Sequence, residues 1–90
     1  MKKLLKYSVR NKAKKFFKKH PKLEEEFKSS IISIAKGEKE LKDYDIKPFK
    51  GIKNTFRYRK GNQRVIFILT QDYQVIIVDV TDANNRGDIY

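Results

Sequence analysis

The spacing of apolar residues changes once along this chain, at Asn54, and that change limits what the chain can fold into. Before Asn54, most apolar residues recur every three or four positions, as on the buried face of a helix. After it, they alternate with polar residues or form short apolar runs, as in strands. The sequence therefore predicts a mixed α and β protein in which helices precede most of the sheet.

Two consecutive helices are predicted ahead of this change. In the first, over residues 11–20, apolar residues recur at helical spacing and lysines cover the other face. Pro21 ends this helix and suits the first turn of a second helix, which Gly37 stops. A short strand at residues 4–9, where apolar and aromatic side chains are separated by polar ones, is predicted before them.

A meander of three antiparallel strands is predicted after Asn54. Its first strand alternates aromatic residues with Arg57 and Arg59, and the next two are the apolar runs 65–69 and 75–80, with polar turns between them. The two inner runs are nearly continuous in apolar residues, as expected of central strands that are covered at least partly on both faces.

The region between the helices and the meander, residues 38–53, shows no sustained period, and Pro48 and Gly51 indicate a connector. The predicted fold class is therefore α+β: an N-terminal strand, a two-helix hairpin and an antiparallel three-strand meander, with the helices packed on one face of the sheet. Ninety residues correspond to one small domain, so residues 1–90 are predicted to form a single functional unit.

Charge is distributed unevenly along the chain. Its net charge is +11, from 22 basic and 11 acidic residues. Residues 1–60 carry 20 basic and 7 acidic residues, a net +13, whereas residues 61–90 carry 2 and 4, a net −2. A surplus of this size favours a polyanion through counterion release. Nucleic acid is the first partner to consider, followed by an acidic protein or a membrane surface.

The composition also excludes several kinds of site. Without cysteine the chain has no disulfide, thiolate metal site or cysteine nucleophile, and its one histidine, His20, cannot form a histidine cluster. His20 itself is interpreted as an exposed turn residue, and no metal or cofactor is expected.

Residues 1–6 begin like a signal peptide, but Lys6, Arg10 and the following lysines interrupt any apolar run. We therefore expect a cytoplasmic protein that neither is exported nor spans a membrane.

Several short segments accompany this order of predicted elements. They are Phe49-Lys50-Gly51, Phe56-Arg57-Tyr58-Arg59, Gln63-Arg64-Val65-Ile66-Phe67, the apolar run to Val80, and Arg86-Gly87-Asp88-Ile89-Tyr90. Through these segments and the order of its elements, the chain resembles, over essentially its whole length, the RelE/ParE family of bacterial and archaeal toxins. The resemblance implies a toxin of a type II toxin–antitoxin pair. Its RelE branch cuts messenger RNA in the ribosomal A site, and its ParE branch poisons DNA gyrase.

The resemblance also implies a set of catalytic residues. Arg57 and Arg59 match the basic strand residues of the family, Arg64 matches its arginine after the turn, and Tyr90 matches its C-terminal tyrosine. The chain departs from the family pattern at position 84, where an asparagine stands in place of an arginine and the arginine at position 86 follows two residues later. Either Arg86 completes the candidate catalytic set through a local bulge, or the site lacks one positive charge.

The chemistry of RNA cleavage without a metal supports these residue types. Attack of the 2′-OH on phosphorus leaves a 2′,3′-cyclic phosphate and requires a proton acceptor, a proton donor and positive charge for the phosphorane. Because the chain lacks a histidine pair, arginines and a tyrosine are the candidates for these roles. Strand alternation predicts that Arg57 and Arg59 project from one face, and Arg64 can join them across the hairpin.

Each candidate residue also has a structural interpretation. Arg57 and Arg59 could form a solvated face that discourages aggregation of an edge strand. Arg64 could form an ion pair with Asp79 or Asp82. Tyr90 could cap the sheet rather than act in catalysis.

The leading hypothesis is a RelE-like mRNA endoribonuclease whose partners are the ribosome, with mRNA in its A site, and a cognate antitoxin. The antitoxin would be acidic and would wrap the basic surface with helices or add a strand to the sheet. One alternative is a ParE-like inhibitor of DNA gyrase. Another is a non-catalytic nucleic-acid-binding protein, which would need aromatic side chains on the basic face. Phe56 and Tyr58 alternate away from the arginines, which counts against this last hypothesis.

Overall fold

A computed structural model describes residues 4–85 of the chain. Five strands, two helices and one turn of 3-10 helix follow one another along these residues. They are β1 (Leu4–Val9), α1 (Asn11–Lys19), α2 (Pro21–Ala35), the 3-10 turn (Leu41–Asp43), β2 (Ile46–Pro48), β3 (Thr55–Lys60), β4 (Gln63–Gln71) and β5 (Val75–Asn85). The predicted first strand and the two consecutive helices are thus confirmed. None of the helices in this part of the chain is long and apolar enough to cross a membrane.

The strands form one sheet in the order β1-β5-β4-β3-β2. Strands β3, β4 and β5 form the predicted antiparallel meander. Strand β1 pairs with β5 in parallel, so the sheet as a whole is mixed rather than antiparallel. The prediction of a connector without regular structure is wrong at β2, which pairs with β3. Three residues, one of them a proline, are too few to show the period of a strand.

A single residue, His20, links the two helices. Its backbone N–H donates to the carbonyl oxygens of Phe16 and Phe17 at 3.0 and 3.1 Å, which closes the last turn of α1. Pro21 then begins α2, where its missing N–H costs nothing because the first N–H groups of a helix have no partner within it. The helices are therefore adjacent along the chain, with no loop between them.

The hydrophobic core lies between the helices and one face of the sheet. Phe27 of α2 is completely buried, and its ring lies 5.1 Å from that of Phe67 on β4 and 5.2 Å from that of Tyr58 on β3. Both pairs meet edge to face, which is a favourable geometry for aromatic rings. On the strands, the residues that alternate with these core residues point to the opposite face of the sheet.

A β-bulge in β5 decides which residues near its end share that opposite face. The register of β5 against β4 shifts at Thr81, because Phe67 pairs with Val80 whereas Ile66 pairs with Asp82. Thr81 is the extra residue, and its hydroxyl donates to the carbonyl oxygen of Ile66 at 3.2 Å. As a result the alternation reverses: Val80 and Ala83 are both buried in the core, and Asp82 faces away from it.

Candidate nucleic-acid interface

Three arginines lie on the face of the sheet opposite the core. Tyr58 packs against Phe27, so its neighbours Arg57 and Arg59 on β3 point the other way. Arg64 on β4 is directly opposite Arg59 in the antiparallel register. Directly opposed residues of paired strands project from the same face. We call Arg57, Arg59 and Arg64 the arginine face.

One carboxylate, that of Asp45, binds two of these arginines. Its Oδ1 lies 3.2 Å from Nη2 of Arg57, and its Oδ2 lies 2.8 Å from Nε of Arg59. The backbone N–H of Arg59 also donates to the carbonyl oxygen of Asp45 at 3.0 Å. Asp45 directly precedes β2, so the pairing of β2 with β3 places it beside the two arginines.

The two arginines that bind Asp45 differ in how far they are removed from water. The side chain of Arg57 is only 14% exposed, and those of Arg59 and Asp45 are 35% and 34% exposed. The alternative of a solvated arginine face is therefore wrong for Arg57. A guanidinium so far removed from water needs a counterion close by, and Asp45 supplies it.

The same contacts act on the ionisation of Asp45. Burial works to raise the pKa of its carboxyl group, but the hydrogen bond and charge of Arg59 and the charges of Arg57 and Lys47 outweigh it, so the pKa lies below its ordinary value. The carboxylate is consequently charged at neutral pH. It neutralises one of the two guanidinium charges.

Arg64 is the most buried residue of the arginine face, at 5% exposure. The two carboxylates considered as its structural partners each bind another cation. Asp79 pairs with Arg10 at 2.8 Å, and Asp82 pairs with Lys12 at 3.4 Å. These ion pairs tie the start of α1 to β5.

Asn84 lies directly opposite Arg64, on the same face. Its side-chain amide donates to Oδ2 of Asp82 at 3.0 Å. The bulge at Thr81 places Asp82 and Asn84 on this face. Asn84 contributes a neutral amide at the position where the RelE/ParE resemblance implies an arginine. The two remaining candidate residues, Arg86 and Tyr90, lie outside the described residues.

Groups that could transfer protons lie mostly on the core side of the sheet. His20 is partly buried rather than exposed, because Phe16 packs against its ring at 4.3 Å and its Nδ1 lies 3.0 Å from Nε2 of Gln63. Tyr7 and Tyr58 pack in or against the core, and burial raises the pKa of each hydroxyl. Tyr44 also packs against the core, and Tyr73 lies between the end of β4 and the start of β5. Within residues 4–85, no histidine or tyrosine therefore lies beside the three arginines on their face of the sheet. This part of the site supplies positive charge.

Sequence reasoning missed Asp45. It stands 12 and 14 residues before the arginines it binds, in a segment without a period. Only the register of β2 against β3 reveals the contact, and the sequence offers no signal for that register. Among the described residues, no group of three or more acidic or histidine side chains is arranged to hold a metal ion.

No known protein-family model, curated protein sequence or solved structure significantly matches this chain. The relationship to RelE/ParE toxins therefore stays a hypothesis, based on the order of elements and on the quoted segments. The geometry of the arginine face can be interpreted without it, from the chemistry of guanidinium groups.

Proposed function

We propose that this chain is a RelE-like toxin, a metal-independent endoribonuclease that cuts mRNA on the ribosome and is neutralised by a cognate antitoxin. The observation that carries this proposal is the clustering of Arg57, Arg59 and Arg64 on one sheet face. Planar guanidinium groups bind phosphate through paired N–H donors, and fixed positive charge stabilises the phosphorane that forms during cleavage.

In the proposed reaction, the 2′-oxygen of one nucleotide forms a bond to the adjacent phosphorus, and the bond from phosphorus to the 5′-oxygen breaks. The proton of the 2′-OH passes to an acceptor, and the leaving 5′-oxygen receives a proton. The products are a 2′,3′-cyclic phosphate and a 5′-OH. The arginine face would hold the phosphate and offset the charge gained in the transition state, and we assign proton transfer to Tyr90.

The ParE-like alternative, a gyrase inhibitor that binds without cutting RNA, is favoured by a different observation. Asp45 already neutralises part of the charge of Arg57 and Arg59. In addition, no histidine or tyrosine among residues 4–85 lies beside these arginines on their face of the sheet. A protein that only binds a partner needs no proton-transfer group.

Two assays on the same protein preparation separate the two functions. One maps cuts in an mRNA by primer extension in a purified translation system, and the other measures supercoiling by DNA gyrase. Cuts that follow the reading frame and require ribosomes support the endoribonuclease. Intact mRNA together with loss of supercoiling contradicts it and supports the gyrase inhibitor.

A further inference from the structure

We propose that Asp45 is a positioning residue of the arginine face: it orients Arg57 and Arg59 for a phosphate and, as their internal counterion, weakens the affinity for RNA. The positioning half of this inference rests on the proposed endoribonuclease function. The counterion half requires only that the face binds a polyanion.

The contact geometry supports the orienting role. Each oxygen of the carboxylate accepts from a different guanidinium, through Nη2 of Arg57 and Nε of Arg59. Within residues 4–85 neither guanidinium makes another side-chain hydrogen bond, so each keeps N–H donors for a ligand. Two forks fixed by one carboxylate present those donors in a defined arrangement before any phosphate arrives.

The backbone holds Asp45 in place. Its carbonyl oxygen accepts from the N–H of Arg59, and the residues that follow it, Ile46–Pro48, pair with β3. The carboxylate is thus attached to the strand that carries both arginines. Its contact with them is therefore set by the pairing of β2 with β3.

The charges give the counterion role. Two guanidiniums and one carboxylate leave one net positive charge, and Lys47, directly opposite Arg57 on β2, lies on the same face. Replacing Asp45 with asparagine removes the negative charge and leaves the largely buried Arg57 without its ionised partner. An incoming phosphate would then gain the attraction that Asp45 now satisfies.

Binding of an RNA oligonucleotide with 2′-O-methyl groups, which cannot be cleaved, tests the counterion role. We expect Asp45→Asn to bind more tightly than wild type, and the slope of log K against log salt to steepen by roughly 0.7, the value for one more charge against single-stranded RNA. Asp45→Glu keeps the charge and should keep the wild-type slope. Glu38→Gln changes the net charge equally at an exposed residue and serves as the matched control.

A Kd and a salt slope for Asp45→Asn that equal those of Glu38→Gln would overturn the counterion role. Circular dichroism at the assay temperature confirms that each variant is folded.

If wild type binds no RNA, the proposed function fails. The counterion role is then tested with inorganic tripolyphosphate as the polyanion. Tripolyphosphate should raise the melting temperature of Asp45→Asn more than that of wild type. An equal rise in the two proteins would overturn the counterion role.

Cleavage at saturating RNA tests the positioning role. Both Asp45→Asn and Asp45→Glu should cleave more slowly than wild type, because neither holds the two guanidiniums as the aspartate does, while Glu38→Gln should cleave at the wild-type rate. Tighter binding with slower cleavage in Asp45→Asn is a combination that a purely structural role does not produce. A wild-type cleavage rate in both Asp45 variants would overturn the positioning role. Absence of cleavage by wild type would contradict the proposed function and with it the positioning role, while the binding result would stand.

Discussion

At the scale of single residues, Phe27 joins the two layers of the molecule. Its ring contacts Phe67 and Tyr58 on the sheet, and it is completely buried. Helical spacing alone predicts that this residue lies in the core. Its two edge-to-face partners are set by the sheet, and an aliphatic residue at this position would lose both ring contacts.

We predict that Phe27→Ala lowers the free energy of unfolding by about 3–5 kcal/mol, through lost burial and the cavity left behind. This is a large part of the stability of a small domain. Urea denaturation monitored by circular dichroism measures it. Ile32→Ala, on the same helix at a residue that is 37% exposed, is the matched control and should cost far less. Equal losses in the two variants would contradict the position of Phe27 at the centre of the core.

Tyr7 makes stability sensitive to alkaline pH. Burial, the charge of Glu24 and a hydrogen bond to it raise the pKa of the Tyr7 hydroxyl above its ordinary value of 10.0. Burial raises the pKa of Tyr58 as well. Because the pKa is higher in the folded than in the unfolded state, the stabilisation is complete below pH 10.0 and is lost as the pH rises towards the folded-state pKa.

The melting temperature should therefore begin to fall above about pH 10. In Tyr7→Phe this alkaline fall should be smaller, since the variant has one buried hydroxyl fewer to ionise. At neutral pH the variant should be slightly less stable, because it lacks the 3.2 Å hydrogen bond to Glu24. Thermal melts between neutral pH and about pH 11 measure both effects. An alkaline fall as steep in Tyr7→Phe as in wild type would rule out Tyr7 as a source of it.

At the scale of elements, the bulge in β5 aligns the end of this strand with the arginine face. Before Thr81 the odd-numbered residues of β5 face away from the core, and after it the even-numbered ones do, which places Asp82 and Asn84 beside Arg64. If Thr81 instead paired with Ile66 in a regular register, Asp82 would lie opposite Val65 and point into the core.

Deleting Thr81 should leave a protein that still folds cooperatively, because it removes only the extra residue while Val80 stays opposite Phe67 and Asp82 stays opposite Ile66. Thr81→Ala keeps the extra residue and loses only the hydrogen bond to Ile66, so it should cost about 1 kcal/mol. Thermal denaturation of the two variants makes the comparison. A deletion variant that no longer unfolds cooperatively would contradict the assignment of Thr81 as the extra residue of the bulge.

The sequence predicts the elements unevenly. Strand β1 and both helices are predicted closely, since their apolar spacing is regular and Pro21 marks the boundary between the helices. Strand β2 was missed because three residues show no period. Strand β5 extends to Asn85, beyond the predicted end at Val80, because the bulge interrupts the alternation and the residues after it are mostly polar.

At the scale of the whole molecule, the candidate site is only partly visible in the sequence. Alternation along β3 predicts that Arg57 and Arg59 share a face, and the hairpin register brings Arg64 across from Arg59. The counterion Asp45 could not be predicted, since its position depends on pairing between distant segments. Net charge predicts a polyanion as partner, but it does not say where on the molecule the polyanion binds.

Whether RNA is cut at the arginine face is tested most directly by two single variants. One removes a positive charge from the arginine face, and the other removes a positive charge elsewhere on the molecule. In the translation system, mRNA cleavage by wild type should be mapped by primer extension beside Arg59→Ala and Lys36→Ala, which lose equal charge. Arg59 is the more exposed of the two arginines that bind Asp45, and Lys36 is exposed at the end of α2. We predict cleavage by wild type and Lys36→Ala, and its loss in a folded Arg59→Ala. Full cleavage by folded Arg59→Ala would show that RNA is not cut at the arginine face.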